Sequence, residues 1–465
     1  MTRLLQSPRR SSLSFHVLAL LAVLVAVPAP AQTLADEVDA ILTEADWNGV
    51  ALVATPEGVA IERGYGVADV DSEELNTPET RFLIGSVTKQ FTGALTLMLM
   101  EEGLLDLHVP IDTYLPDYPQ PQGSQITIHH LLTHTSGIPS YTSFPDYEAE
   151  VMPFAHTPAE LVALFAELPL EFEPGTEWSY SNSGYALIGY IIEAVTAMTY
   201  PDAIQDMIFG PFELTNTGYP DPDYEGIATG YTSDGTFEVA PYIHPSVAFS
   251  AGALYSTVGD LYRWDQLLYG DTVFDDPDTK ALFFEEHTQV TGPIFYAYGW
   301  YVGEIAIPRV PEPAYVVGHD GSINGFRSHI DRFVEDGKTI VLFTNVPNPS
   351  NVFQVVQSIR TAAFTIPTVD AESDPGVPTN AALAAPYPNP VSRRARFTYA
   401  LTEPSSVRVA IYDVLGREVA VVAQGPRAAG RHEVALDAAR MAPGLYVVRL
   451  VAGGESPTRR LTVAR

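Results

Sequence analysis

With 465 residues, 46% of them hydrophobic and 18% charged, the chain is composed as folded, multi-domain material rather than as a disordered one. Cysteine is absent, which excludes disulfides, thiolate metal ligands and cysteine nucleophiles together. The 25 Lys+Arg against 57 Asp+Glu leave a net charge of −32, which argues against nucleic acid as a partner, since phosphate binding needs clustered cations.

The charge is unevenly spread. Residues 386–465 hold 12 Arg against 6 Asp+Glu, a balance of +6, and residues 1–31 add Arg3, Arg9 and Arg10. The middle, 32–385, therefore carries 10 basic and 51 acidic residues, or −41. Such a body repels itself unless salt screens it, and the Debye length falls from about 10 Å at 0.1 M salt to about 3 Å at 1 M. A surface adapted to saline surroundings is the expectation, against the plainer reading of an ordinary acidic secreted protein.

Met1–Ala31 reads as a secretory signal. Three arginines precede the apolar run Val17–Val27, and Ala29-Pro30-Ala31 supplies small residues for cleavage. That run falls short of the roughly 20 residues a bilayer span needs. A later apolar stretch, Phe91–Met100, is cut off by Glu101-Glu102, so no integral membrane segment is expected after signal removal.

The body, 32–367, mixes strand and helix signals. Val50–Ala54 and Val59–Gly64 flank a Pro56-Glu57-Gly58 turn and predict a hairpin. Ser86–Glu102 predicts a helix that is largely apolar on every side and hence buried. Ala314–Val317, Phe326–Phe333 and Thr339–Thr344 predict consecutive strands, and Ser350–Phe364 a closing amphipathic helix. Strands at both ends with helices between them point to an α+β architecture, an antiparallel sheet flanked by helices with a helical subdomain. Residues 368–385 lack periodicity and read as a linker. Beyond them, 386–465 shows six short alternating runs separated by turn residues, which predicts a small C-terminal β-sandwich.

Three elements could carry chemistry. Lys89 lies three residues after Ser86 on one helix face, within reach of the serine hydroxyl. A lysine can act as base only if its pKa falls, and moving it from ~10.4 to ~7 costs about 4–5 kcal/mol, which desolvation among Val87, Phe91 and Leu95 could supply. Tyr180-Ser181-Asn182 offers a phenol for proton transfer and an amide for a substrate carbonyl; alternatively, Asn182 and Ser183 cap the following helix. His319-Asp320-Gly321-Ser322 closes a strand, where glycine admits a substrate backbone and the Ser322 amide can help bind an oxyanion.

In this order the three elements resemble the serine β-lactamase and penicillin-binding family, in its class C-like branch of D-peptidases, D-aminopeptidases and esterases. Leu131-Leu132-Thr133-His134-Thr135-Ser136-Gly137, Phe172-x-Pro174-Gly175, Ser250-Ala251-Gly252 and Ser256-Thr257-x-x-Asp260-Leu261 extend the likeness over nearly all of 33–365. The resemblance implies acyl transfer through an acyl-serine, with no metal and no cofactor. By it, Ser86 attacks, Lys89 and Tyr180 shuttle protons, and Asn182, His319, Gly321 and Ser322 bind the substrate. One departure is plain: β-lactamases usually begin the third motif with lysine, and His319 stands there. A mostly neutral histidine weakens recognition of a substrate carboxylate, so D-peptides or small esters are expected before β-lactams. A true β-lactamase, or a surface protein that binds cell-wall peptides without turnover, are the alternatives.

Elsewhere plainer readings hold. His130 and His134 have i,i+4 spacing but lack an H-E-x-x-H pattern, so a supporting role for His134 is expected over zinc. Asp275-Asp276-x-Asp278 and Asp221-x-Asp223 lack the EF-hand pattern and read as solvated loops. Tyr296, Tyr298 and Trp300 could line a substrate groove. In the tail, Tyr387-Pro388-Asn389-Pro390, Tyr412-Asp413-x-Leu415-Gly416-Arg417 and Pro443-Gly444-Leu445-Tyr446-x-x-Arg449 resemble the C-terminal sorting domain of type IX secretion. The likeness implies the secretion machinery as partner and a secreted or cell-surface protein.

Overall fold

A computed structural model describes residues 33–366, apart from 233–235, 271 and 348, and most of 381–463 in segments. The signal-like stretch 1–31 and the tail's 387–390 lie outside the described residues.

The body is built on an eight-stranded sheet. Its strands are β1 (Gly49–Thr55), β2 (Gly58–Tyr65), β3 (Thr288–Thr291), β4 (Ile294–Tyr296), β5 (Tyr301–Ile305), β6 (Ala314–Ile323), β7 (Phe326–Phe333) and β8 (Lys338–Thr344). They lie in the order β2-β1-β8-β7-β6-β5-β4-β3, and every neighbouring pair is antiparallel. The expected hairpin is β1–β2, and its Thr55↔Gly58 pairing closes the turn.

Because side chains alternate across a strand, the wholly buried β1 serves two cores. Val50, Leu52 and Ala54 join the large core under the helices, while Ala51 and Val53 join a smaller one. The smaller core lies under α1 (Leu34–Glu44) and the last helix of the body (Pro349–Thr365). In α1, Leu34, Val38 and Leu42 recur at i, i+4, i+8, and a Thr33/Asp36 capping box starts the helix. The large core holds α2 (Thr88–Glu101), which is buried from Thr88 to Leu97, as its all-round apolarity predicts. Ser86 itself sits one turn earlier, in a 3₁₀ turn Gly85–Val87 rather than in the α-helix.

The tail forms a three-stranded and a four-stranded antiparallel sheet around its own core, with Phe397, Val409, Val448 and Leu450 fully buried. One boundary moves. Ala381–Leu383, read as linker, pairs antiparallel with Arg394–Leu401, because its small apolar side chains complete that core. Among the described residues no helix is long and apolar enough to cross a membrane.

Candidate active site

The serine turn is pressed against the edge of β6. Gly85 adopts φ +51°, and a Cβ there would come within 2.7 Å of the Ser322 amide nitrogen. From the other side, a Cβ on Gly321 would fall 2.0 Å from the Ile84 carbonyl oxygen. Only glycine permits this approach at either position. Ser328 on β7 ties the two together by donating its hydroxyl to Ile84 O at 2.6 Å. The Ser322 amide is thereby brought to the turn that carries Ser86.

Lys89, on the first turn of α2, is fully buried. Its Nζ lies 3.2 Å from Ser86 Oγ, 2.8 Å from Asn182 Oδ1 and 2.8 Å from the Ala251 carbonyl oxygen. Among the described residues no carboxylate pairs with it, and burial pushes its pKa well below the usual lysine value. A neutral amine has two N–H bonds and one lone pair. Asn182 Oδ1 and Ala251 O can only accept, so they take the two protons, and the lone pair is left for the serine hydroxyl.

Tyr180 lies beside this pair, with Lys89 Nζ 4.9 Å from its ring centre. Burial raises its phenol well above the ordinary value, and the Ser86 hydroxyl offsets only part of the rise. The resting phenol is therefore protonated, not a phenolate held by a cation. The Leu131–Gly137 stretch holds the tyrosine segment in place. His134, at φ +60°, accepts from Ser181 N at 3.2 Å and packs against Tyr180 with ring centres 4.2 Å apart and planes tilted by 38°. Its carbonyl takes the Ser179 amide, and Thr135 O takes that of Gly175. His130 lies on a helix that ends at Leu132, so the two histidines do not share a helical face and the zinc-like spacing has no geometric basis.

Asn182 does not cap its helix. Ser181 is the N-cap of Asn182–Thr196 and makes no side-chain capping bond. The Asn182 amide instead bridges Lys89 and Thr142, donating to Thr142 Oγ1 at 3.0 Å, and Ser183 donates to Pro139 O at 2.6 Å. The polar side chains that suggested a cap are used by the site.

His319 lies within β6, where the strand runs on to Ile323 instead of turning. It is buried, with Nδ1 donating to Asp320 O at 2.7 Å and Nε2 accepting from Tyr296 Oη at 3.0 Å. Burial lowers its pKa to about 4, so the ring is neutral. Tyr296, Tyr298 and Trp300 are fully buried and line neither cleft at Ser86, so the groove expected of them is core. Their alternation with Ala297 and Gly299 gave no sign of which face met solvent.

Two clefts meet at Ser86 and Tyr180. One, of about 680 Å³, is walled by Tyr141, Tyr147, Asn182, Tyr231 and Ser322. The other, of about 470 Å³, is lined by Tyr301, Asp320, Gly321, His329, Phe353 and Arg360. Sequence reasoning missed Thr142, the Ala251 carbonyl and the residues of β7. Ser250-Ala251-Gly252 was the one signal for the carbonyl, and it lies just after a kink at Phe249 (φ 39°).

Residues 34–362 match the β-lactamase family model. The chain belongs to the β-lactamase family. PbpX of Bacillus subtilis (strain 168), a penicillin-binding protein by name, is 31% identical over 324 residues, covering 68% of this chain and 75% of that one. A penicillin-binding protein from Bacillus halodurans matches with TM-score 0.61 at 23% identity, over 69% of this chain and 98% of that one. A D-amino acid amidase from Ochrobactrum anthropi SV3 also gives 0.61, at 24% identity over 71% and 98%. Residues 385–464 match the secretion system C-terminal sorting domain. The protein is thus a hydrolase of the β-lactamase and penicillin-binding fold that carries a sorting domain.

Proposed function

We propose that this β-lactamase-family hydrolase cleaves D-amino-acid-containing peptides or small esters through an acyl-Ser86 intermediate. The observation that carries the reading is the buried Lys89 amine, whose two acceptors leave its lone pair for Ser86 Oγ. In acylation Lys89 takes the serine proton as Oγ attacks the carbonyl carbon. The negative charge that develops on the carbonyl oxygen is met by the amides of Ser86 and Ser322. Tyr180, protonated at rest, gives its proton to the leaving amine or alkoxide and regains one from Lys89. Water then repeats the sequence on the acyl-enzyme, with the same groups in reverse roles.

The named activities of similar proteins, a D-amino acid amidase among them, support acyl transfer at this kind of site. The neutral His319 favours peptides and esters over β-lactams, because no lysine stands there to attract the β-lactam carboxylate. Export by an N-terminal signal and delivery through the sorting domain complete the proposal, which makes the protein secreted or surface-bound. The test is a panel of D-dipeptides, p-nitrophenyl esters and nitrocefin, run with the protein and its Ser86→Ala variant. Serine-dependent turnover of the first two supports the reading. Fast nitrocefin hydrolysis would mark a β-lactamase, and no turnover at all would leave only peptide binding.

A further inference from the structure

The body also holds a cleft remote from Ser86. It measures about 770 Å³ and shares no lining residue with the two clefts at the nucleophile. It opens at the far end of α2, where Glu101 stands about 18 Å along the helix axis from Lys89. Its apolar wall is made of Met98 and Met100 on α2, Met207 on the helical turn Gln205–Phe209, and Phe212. Three of the chain's seven methionines thus share one half-buried wall. Methionine has three rotatable bonds and a polarisable sulfur, so such a wall adapts to many apolar shapes.

Carboxylates surround that wall. Glu101, Glu102, Asp275 and Asp276 line the cleft, and among the described residues no lysine or arginine does. Glu101 accepts the backbone amides of Asp275 and Asp276 at 3.0 and 2.8 Å, which fixes its charge in place. Glu102, Asp275 and Asp276 are exposed. Glu101 and Glu102 also stand at the C-terminal end of α2, where the helix dipole is already negative and no basic residue of the last turn offsets it. Stability alone would favour a cation there. The cations close by in the chain serve elsewhere. Arg263 pairs with Glu213 and donates to Phe212 O at 2.8 Å, and Lys280 donates to Tyr269 O and Gly270 O, each at 2.8 Å.

We infer that this cleft is a docking site for a basic amphipathic peptide segment of another protein. The segment's apolar side chains lie on the methionine wall, and its lysines or arginines meet the carboxylates around it. Charge complementarity selects this occupant, since four carboxylates beside one apolar wall attract interleaved basic and apolar residues and repel an acidic segment. The cleft's separation from Ser86 leaves the nucleophile open, so the partner does not compete with substrate. The inference is independent of the acyl-serine reading.

The test follows the methionine methyl groups by ¹³C NMR while a helical peptide of leucine and lysine is added to the protein. Single Met→Leu substitutions assign the signals. The expected result is a shift of Met98, Met100 and Met207, with Met152 at the first cleft, Met198 and Met441 unmoved. Glu102→Gln with Asp275→Asn should weaken binding about 3- to 10-fold at 0.1 M salt, as for two exposed charge pairs. The same loss of charge in Glu74→Gln with Glu304→Gln, two exposed carboxylates that do not line the cleft, should leave it within twofold. Unchanged methyl spectra of the free variants show that they stay folded. No shift, shifts spread over all the methionines or centred on Met152, or equal weakening in both double variants would overturn the assignment. A methyl spectrum that instead changes with protein concentration alone would make a second copy the occupant and overturn it too.

Discussion

Asn182 Oδ1 lies 2.8 Å from Lys89 Nζ, and the same amide donates to Thr142 Oγ1. An amide oxygen accepts one proton of the amine without adding a charge, so Lys89 can stay neutral while its orientation is set. A carboxylate in that place would orient the amine equally well but would hold it as ammonium.

Asn182→Asp tests that distinction. A carboxylate within 3 Å raises the lysine pKa, and at pH 7 the base is largely lost. The expected result is a fall in kcat/KM of roughly 10²- to 10⁴-fold at pH 7, the range for loss of a general base, with the rate recovering as pH rises. The check is a pH–rate profile beside the parent. Superimposable profiles would show that Lys89 does not act as a neutral base.

Gly321 tests the close approach behind Ser86. In Gly321→Ala the added Cβ meets Ile84 O, which is backbone and cannot step aside. A loss of about 1–3 kcal/mol in stability is expected, as for overpacking, together with slower acylation. Urea unfolding and stopped-flow ester hydrolysis read the two effects separately.

Histidines set the pH window of stability from both sides. His129 has ring neighbours His108 and His287 at 5.3 Å and His130 at 6.0 Å. Burial, then the charges of those neighbours, lowers its pKa to about 4. The folded state thus binds fewer protons than the unfolded one, so stability is complete above about 6.5 and is lost as pH falls toward 4. His329 has the opposite sign. Burial disfavours its charge, but Asp331 and Asp320 outweigh burial and lift it to about 9. Its contribution is complete below about 6.5 and is lost as pH rises through 9. A melting-temperature profile should therefore peak near pH 6.5, with His129→Gln flattening the acid limb and His329→Gln the alkaline limb.

The surplus of acidic side chains in 32–385 should make stability depend on salt. The expected outcome is a melting temperature that climbs between low salt and 1 M sodium chloride. A flat or falling curve would remove the case for adaptation to saline surroundings.

Much of the site could be read in the chain because its signals are local. Ser86 and Lys89 stand three residues apart where a 3₁₀ turn runs into α2, and the apolar residues around them foretell burial. The hairpin at Pro56–Gly58 and the closing helix follow from turn residues and periodicity. What escaped depends on distant packing. Nothing local distinguishes an Asn182 that caps a helix from one that turns to Lys89, 93 positions away. His319-Asp320-Gly321-Ser322 reads as the end of a strand whose glycine admits a substrate backbone, whereas a Cβ at Gly321 would meet Ile84 O. Tyr296, Tyr298 and Trp300 have groove-like chemistry, but their burial is decided by strands and helices far away in sequence.

The most direct test is the intact mass of the protein after incubation with a penicillin in 1 M salt, beside Ser86→Ala and Lys89→Ala. The expected result is one added penicilloyl mass in the parent, mapped to Ser86, with none in either variant. A parent that hydrolyses peptides or esters while Ser86→Ala does so equally would contradict the acyl-serine account.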